Sequence, residues 1–245
     1  MYSKEHQIYL KKIKRNKNIV SFFKIFIIVF FIVIWEILAR FEIINPFLTS
    51  SPSMVIKTII ELYKQNNLFT HIWTTFYETV VSFSIASIIG LIVASILWTS
   101  DTISKILDPY LTVLNSLPKV SLGPLIIIWI GANTNSIIFM TLLITVFTSI
   151  INIYNAFINT DKQKILLLKT FNASKVQIFT KLVLRGNLKA LVNTLKISIS
   201  LSLIGVIMGE LLVSKKGLGY LITYGSQVFN LNLVITSIFI LGIMS

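Results

Sequence analysis

Residues 160–189 read TDKQKILLLKTFNASKVQIFTKLVLRGNLK, the longest polar interval that follows the first apolar span. Segments apolar enough to lie in lipid flank this interval on both sides. Charged side chains and irregular backbone avoid the hydrocarbon of a bilayer, so the interval is expected to lie in water. We therefore treat it as the candidate working surface of the chain.

The local sequence of this interval predicts two short helices joined at a corner. Thr160 with Gln163, and Ser174 with Gln177, have the spacing of a capping box, in which a hydroxyl and a glutamine each satisfy a free backbone donor. The distance between the two helix starts leaves room for about two to three turns. Asn172 is predicted to end the first helix in the left-handed conformation, which asparagine tolerates best after glycine.

The composition of the whole chain is that of a membrane protein. The 245 residues are 55% hydrophobic and only 13% charged, with a mean hydropathy of +0.83. In soluble domains, about a quarter of all residues are charged. The absence of cysteine excludes disulfides, thiolate metal sites and cysteine catalysis.

The basic residues cluster beside the apolar segments. A net charge of +13 could indicate nucleic acid binding, but seven basic residues lie within residues 1–24 and eight lie between Lys162 and Lys196. Placing the amino terminus inside puts both clusters and Lys105 in the cytoplasm and leaves four lysines outside: Lys57, Lys64, Lys215 and Lys216. This bias follows the positive-inside rule. We therefore expect a cytoplasmic amino terminus and no nucleic-acid partner.

We predict an all-α membrane protein with about six transmembrane helices. Residues 1–24 form a basic cytoplasmic arm, and residues 25–245 form a single transmembrane domain. A new helix is predicted to restart at Asp108-Pro109 after a short internal turn. Four of the predicted spans are 22–41, 72–98, 190–213 and 228–245. The other two lie within the uncharged interval 120–160 and are separated by a tight outer turn at 131–136.

Two further patterns concern packing outside and inside the membrane. Ser51 and Pro52 have the residue types of a helix start, which predicts an external helix within residues 45–70. Ser82, Ala86, Gly90 and Ala94 recur every fourth residue and place small side chains along one helix face. We interpret this row as a packing seam; the alternative is that it lines a substrate path.

The third span is interrupted by Pro118, Gly123 and Pro124. Proline kinks a span and removes a backbone hydrogen bond, and broken helices in transporters often border the substrate site. Lys119 lies among these residues and has two interpretations. It could hold an anionic substrate, but we favour a lysine that reaches water or pairs with Asp108.

The remaining titratable residues in the apolar segments are assigned structural roles. Glu36 lies near the outer end of the first span, where a carboxylate can reach the interface. Glu210 can pair with Lys215 or Lys216, or line the pathway, and we favour a structural role. His6 and His71 are too far apart in the sequence to indicate a metal site, and we expect surface or interface positions for them.

Three stretches resemble the membrane subunits of ABC importers. The cytoplasmic loop of that family reads Glu-Ala-Ala, three residues, Gly, nine residues and Ile-x-Leu-Pro. Here the opening triplet falls on residues 166–168, the corner glycine on Asn172, and the closing tetrad on residues 182–185, with Glu-Ala-Ala, glycine and proline all replaced. Residues 115–131, NSLPKVSLGPLIIIWIG, and residues 209–220, GELLVSKKGLGY, resemble the nitrate, sulfonate, taurine and thiamine-precursor branch.

This resemblance implies a multi-pass permease of a bacterial-type plasma membrane, with the type I importer fold and a final helix one or two turns longer than the chain has. It implies a homodimer in membrane lipid, an extracytoplasmic substrate-binding protein, and a separate ABC ATPase that uses ATP and Mg²⁺; the permease itself binds no cofactor. The solute would be small and anionic or heterocyclic. The resemblance places an ATPase-coupling loop at 158–189, with these candidate contact residues: Leu166, Leu167, Leu168, Phe171, Asn172, Ala173, Lys175 and Phe179. The candidate pathway or broken-helix residues are Pro118, Lys119, Gly123, Pro124 and Glu210.

Several other classes of function are excluded or remain as alternatives. The sequence has no G-x-x-x-x-G-K-[ST] loop, so the chain is not itself the ATPase and is not expected to be an enzyme. A membrane-embedded enzyme needs a nucleophile, base or metal cluster within the spans, and the sequence suggests none. The alternatives are an ATP-independent secondary transporter, whose signs are inverted repeats and in-membrane carboxylates, and a degenerate permease paralogue that no longer transports.

Overall fold

The computed structural model describes residues 4–65 and 67–245, with side chains described from residue 12 onward. This part of the chain consists of helices and turns, as the sequence predicts. A 3₁₀ turn lies at Lys119–Leu122 and a π turn at Phe179–Val183. The α-helices are α1 Lys4–Arg40, α2 Pro46–Thr49, α3 Pro52–Lys64, α4 Leu68–Thr99, α5 Asp101–Ser116, α6 Gly123–Ile130, α7 Thr134–Ile158, α8 Lys162–Thr170, α9 Lys175–Ile178, α10 Leu184–Gly186, α11 Leu188–Val213, α12 Leu218–Gln227 and α13 Leu231–Met244.

Helix α1 joins the predicted basic arm and the predicted first span into one continuous helix. Neither proline nor glycine interrupts it, so the sequence has nothing that would break the backbone hydrogen bonds. Its apolar part is almost wholly exposed, and phenylalanines such as Phe26 and Phe30 stack one turn apart, 5.8 Å between ring centroids. Near the end of α1, Glu36 attaches this helix to α3: its Oε2 accepts a hydrogen bond of 3.0 Å from the backbone amide of Ser53.

The helix predicted within residues 45–70 is confirmed as α3, Pro52–Lys64. Ser51 caps it by accepting a hydrogen bond from the Met54 backbone, and Pro52 occupies its first turn. Val55 and Leu62 are buried. The carboxylate of Glu36 in the first turn of α3 also favours this helix, because negative charge is stabilised near a helix N-terminus.

Helices α4, α7 and α11 form the centre of the bundle. All four residues of the predicted small-residue row on α4 are buried, which confirms the packing seam. A Cβ atom on Gly90 would lie 2.8 Å from the Cβ of Ser149 on α7. The hydroxyl of the same Ser149 shares a hydrogen bond of 2.7 Å with Ser198 on α11. Small residues and paired hydroxyls thus allow the three backbones to approach closely in lipid.

The third span differs from the prediction in where it breaks. Helix α5 begins at the Ser100 cap and runs through Pro109 without interruption, so the predicted turn and restart at Asp108-Pro109 are wrong. The break comes at 117–118, where α5 and the segment Lys119–Ile130 meet at an angle of 80°. Pro118 removes a backbone donor there, and Leu117 leaves the helical conformation.

The described chain has four helices long and apolar enough to cross a membrane, or five when the bent pair counts as one span. The sixth apolar helix, α13, is shorter than the predicted span 228–245, because Phe229 has a positive φ of 54° and Asn230 caps α13. Its 14 residues extend over about 21 Å, against a hydrocarbon core of about 30 Å.

The close approach of α4 and α7 gives a first prediction. Replacing Gly90 with alanine is expected to destabilise the fold by about 1–3 kcal/mol, because the added methyl group overlaps Ser149 and the helices must separate. The change is measured by the thermal unfolding of the detergent-solubilised chain.

The matched control is Gly242→Ala in α13, where an added Cβ meets no other atom within 4 Å. This control should be neutral or stabilising by up to about 1 kcal/mol, since alanine is the better helix former. Equal unfolding temperatures for the two variants would contradict the assignment of the seam.

Candidate functional site

Residues 160–189, which we call the elbow, form a folded corner at the end of the bundle. Its first helix, α8, is capped by Asp161, whose Oδ1 accepts a hydrogen bond of 2.9 Å from the Gln163 backbone. The predicted capping box at Thr160 is therefore wrong by one residue. Thr160 is instead buried, and its Oγ1 accepts a hydrogen bond of 2.7 Å from Asn187 Nδ2. This bond closes the elbow where the chain returns to the membrane.

The corner between α8 and α9 has the predicted geometry. Asn172 adopts the left-handed conformation with φ 53°. The next backbone amide, of Ala173, donates to the carbonyl of Leu168 over 3.0 Å. Ser174 and Gln177 form the predicted capping box, in which Ser174 N donates 2.8 Å to Gln177 Oε1. The corner therefore leaves few backbone groups unsatisfied and is locally stiff.

Aromatic packing fixes the elbow to the membrane helices. The ring of Phe179 lies between Trp98 of α4 and Phe157 of α7, with centroids 5.2 Å and 5.4 Å away. Lys175 Nζ donates a hydrogen bond of 2.7 Å to the carbonyl of Thr99, the last residue of α4. A cation at this position also complements the negative end of the helix dipole.

The structure divides the predicted coupling residues into two groups. Leu166, Leu167 and Phe171 point away from the bundle, with exposed fractions of 63%, 55% and 73%, and Asn172 is exposed at the corner. The other group faces the chain itself: Leu168, Ala173 and Phe179 pack against a core around Phe157, and Lys175 is held at Thr99. The elbow therefore has one attached face and one exposed apolar face.

Lys119, at the break in the third span, is only partly buried, which agrees with the interpretation of a lysine that reaches water. Its Nζ donates hydrogen bonds to the carbonyl oxygen and the Oδ1 of Asn115, over 2.7 Å and 3.3 Å, and lies 5.8 Å from the ring centroid of Phe147. The predicted pairing with Asp108 is not formed. Lys119 instead satisfies a carbonyl at the end of α5, where a helix leaves its last carbonyls free.

The other predicted residues of the break lie around it. Pro118 precedes the 3₁₀ turn, Gly123 is buried at the start of α6, and Pro124 is exposed beside it. A Cβ on Gly123 would come within 2.7 Å of Leu212 on α11, so glycine permits this close contact. The structure does not bring Glu210 to this place, because that side chain is bonded to α4 and α12.

Glu210 lies at the end of the bundle opposite the elbow. It accepts hydrogen bonds from Thr75 Oγ1 over 2.7 Å and from the Gly219 backbone over 2.6 Å. The predicted pairing with Lys215 or Lys216 is absent, since the one ion pair within 4.0 Å in the described chain is Lys164 with Asp161. The favoured structural role of Glu210 agrees with these bonds, which join α4, α11 and the start of α12.

His71 also belongs to this end and is buried rather than at the surface. Its Nδ1 accepts a hydrogen bond of 3.0 Å from the Gly217 backbone, and its ring stacks on Tyr220. Gly217 has φ 105°, and a Cβ there would overlap the Glu210 carboxylate. A glycine is therefore required at this turn. The side chain of His6 lies outside the described residues.

Sequence reasoning missed Glu78, which is buried beside Glu210. It stands directly before the uncharged run 79–100 and has no basic neighbour in the sequence. A signal was present, because His71, Thr75 and Glu78 follow the i, i+4, i+7 spacing of one helix face. This polar stripe on a span indicates a face turned toward protein.

Comparison with known proteins agrees with this architecture. Residues 86–245 match the family described as "Binding-protein-dependent transport system inner membrane component". The chain is 29% identical over 212 residues to the formylaminopyrimidine transport permease protein ThiX of Halalkalibacterium halodurans, covering 86% of this chain and 84% of that protein. It is 30% identical over 217 residues to a probable ABC transporter permease protein of Haemophilus influenzae, covering 86% and 85%.

More distant relatives extend the same picture. The putative aliphatic sulfonates transport permease protein SsuC of Bacillus subtilis is 24% identical over 213 residues, covering 87% of this chain and 77% of that protein. Among solved structures, the methionine ABC transporter MetNI in an inward facing conformation matches with a TM-score of 0.64 and 20% identity, covering 71% of this chain and 87% of that chain. That likeness shows a shared fold.

The family match covers residues 86–245, well over half of the chain, and the two relatives first named above each cover 86% of it. The predicted resemblance is thus confirmed, and the chain belongs to the binding-protein-dependent transport system inner membrane component family, as a multi-pass plasma-membrane permease subunit of an ABC importer with the type I permease fold.

Proposed function

We propose that this permease works as a homodimer in membrane lipid, receives its solute from an extracytoplasmic binding protein, and is driven by a separate ATPase that uses ATP and Mg²⁺. The chain has no phosphate-binding loop of its own, so the energy must come from a partner. The description of the family as binding-protein-dependent supports the second partner. The basic clusters favour an elbow and amino terminus in the cytoplasm.

The elbow is the part that we propose to dock on the ATPase. Its exposed apolar side chains Leu166, Leu167 and Phe171 suit a hydrophobic groove, which is a common way to bind a short helix. This exposed apolar face, on a folded corner whose opposite face is attached to the bundle, is the observation that carries the proposal. Exposed apolar residues in this number on one short segment indicate an interaction site.

The attached face would carry the movement into the membrane. Phe179 touches both α4 and α7, Lys175 is bonded to the end of α4, and Asn187 returns the chain to Thr160. A movement of the docked elbow would therefore move the ends of α4 and α7 as one body. Rigid-body rotation of this kind changes which side of a transporter is open.

The solute is proposed to be small and anionic or heterocyclic. The support is the chemistry in the names of relatives, which include a formylaminopyrimidine permease, an aliphatic sulfonate permease and a taurine permease. We propose that the break formed by Pro118, Lys119, Gly123 and Pro124 borders the pathway. Interrupted helices border substrate sites in other transporters.

The docking face gives a prediction. Replacing Phe171 with aspartate is expected to reduce copurification of the ATPase with the permease by about tenfold or more, because a charge must then be buried in an apolar groove. Folding should be retained, since this side chain is 73% exposed.

The matched control is Phe229→Asp, which alters a side chain of the same type that is 72% exposed and follows α12. This residue lies away from the elbow, so copurification of the ATPase should stay at the wild-type level. Equal copurification of Phe171→Asp and wild type would contradict the docking face.

The attachment of the elbow gives a separate prediction. Replacing Phe179 with alanine removes the ring between Trp98 and Phe157 and loosens the elbow. Because Phe179 is only half-buried, the cost should be below the roughly 3–5 kcal/mol of a fully buried phenylalanine. The ATPase should still bind, while solute uptake in reconstituted vesicles falls and ATP hydrolysis continues. Uptake equal to wild type, with ATPase bound, would show that the movement does not pass through Phe179.

A further inference from the structure

Two carboxyl groups are buried side by side at the end of the bundle opposite the elbow. Glu78 on α4 and Glu210 on α11 are each only 1% exposed. Thr75 lies one helical turn before Glu78 on the same face, and its hydroxyl is bonded to Glu210. The carboxyl of Glu78 is in turn a neighbour of both Glu210 and Thr134.

The hydrogen bonds of Glu210 are accounted for. One carboxylate oxygen accepts from Thr75 and the other from the amide of Gly219, in the first turn of α12. Two donors and the positive end of a helix stabilise a negative charge at this position.

Glu78 is in a different situation. Neither of its oxygens is accessible to solvent, and neither has a hydrogen-bond partner of good geometry in the described structure. An isolated carboxylate without water or a partner is strongly unfavourable in an apolar interior. A second carboxylate beside it adds repulsion, and two adjacent carboxyl groups cannot both be ionised without a compensating charge.

The charged and titratable groups around the pair do not supply that compensation. His71 accepts a hydrogen bond from the Gly217 backbone amide at Nδ1, so this nitrogen carries no proton and the ring is neutral. Lys215 and Lys216 line a cavity of about 530 Å³ that also borders Glu78, but neither forms an ion pair within 4.0 Å in the described chain. Because the Glu78 oxygens have no accessible surface, a metal ion or an ammonium group cannot reach them in this arrangement.

We propose that Glu78 and Glu210 form a proton-binding site in which the two carboxyl groups share one proton. A proton is the ligand that fits the space, and sharing it removes one of the two buried charges. The site joins α4 to α11 and, through Gly219, to α12. Loss of the proton leaves two repelling carboxylates between α4 and α11. The site is independent of the proposed docking of the elbow and stands or falls separately.

The sign of the pH dependence follows from this site. In neutral buffer the folded chain carries a proton on the pair, whereas two separate glutamates in the unfolded chain are ionised. The folded state thus binds one proton more, so its stability falls as the pH rises. The unfolding equilibrium constant grows by up to about tenfold per pH unit over the range in which the folded pair keeps its proton and the unfolded glutamates are ionised, and this dependence ends once the pair has lost its proton.

The test uses the full chain in lipid nanodiscs and the variant Glu78→Gln, which resembles a protonated Glu78 and leaves Glu210 with its two donors. At neutral pH, wild type should show the infrared carbonyl band of a protonated carboxyl, and Glu78→Gln should lack it. From about pH 5 to neutral pH the unfolding temperature of wild type should fall with each pH unit, while that of Glu78→Gln should change less.

The control is Glu36→Gln, which removes a partly buried carboxylate bonded to the Ser53 backbone; it should keep the band and the pH dependence of wild type. Absence of the band in wild type would overturn the proposal, as would equal pH slopes for wild type and Glu78→Gln. A saturable stabilisation of wild type by sodium, potassium or guanidinium ions that Glu78→Gln lacks would also overturn it, in favour of a cation site.

Discussion

The wedge of Phe179 between Trp98 and Phe157 is the interaction that fixes the elbow to the membrane helices, and the proposed coupling depends on it. A polar corner that follows a transmembrane helix can either hang loosely in water or form part of the bundle. The aromatic contacts and the hydrogen bond from Lys175 to the carbonyl of Thr99 make the corner part of the bundle. Without these contacts, α8 would be an isolated helix of nine residues, and isolated helices of that length are marginally stable in water.

The same logic explains the interior of the bundle. Helices in lipid gain no hydrophobic energy from each other, so they associate through close packing and hydrogen bonds. Gly90 against Ser149 supplies the first, and the bond between Ser149 and Ser198 supplies the second. At the end opposite the elbow, hydrogen bonds between polar groups of α4, α11 and α12 hold the helices together. The two ends therefore differ in chemistry, with aromatic contacts at one and buried acids at the other.

Much of this architecture was predictable from the sequence, because local rules decide it. Glycine, asparagine and proline at turns, the capping box at Ser174, and the small-residue row at Gly90 each require few assumptions about distant parts of the chain. Apolar runs of sufficient length predict spans for the same reason. The family resemblance rested on such local motifs, and its match over residues 86–245 is consistent with them.

The errors arose where distant residues compete for a side chain. Thr160 has the right spacing for a cap, but Asn187 binds its hydroxyl and Asp161 caps α8 instead. Glu210 has two lysines nearby in the sequence, yet Thr75 and Gly219 are its partners. Pro109 is an error of another kind: it was predicted to mark a helix start and lies inside α5. A sequence does not show which remote donor reaches a group first.

The partly attached elbow also clarifies the relation to the ABC importer pattern. The opening triplet of that pattern is replaced here by three leucines, of which Leu166 and Leu167 are exposed and Leu168 faces the bundle. The corner asparagine keeps the left-handed geometry that the family glycine would supply. Shape is thus retained where the residue types differ, while the exposed face that we propose as the docking surface is more apolar than the family pattern.

The central claim is that the elbow is a folded, stiff element even when no ATPase is bound. Hydrogen exchange of the backbone amides of Asn172 and Ala173, which close the corner, tests it most directly on the isolated permease. We expect exchange as slow as in the last turns of α7. Exchange at the rate of an unprotected amide would contradict it.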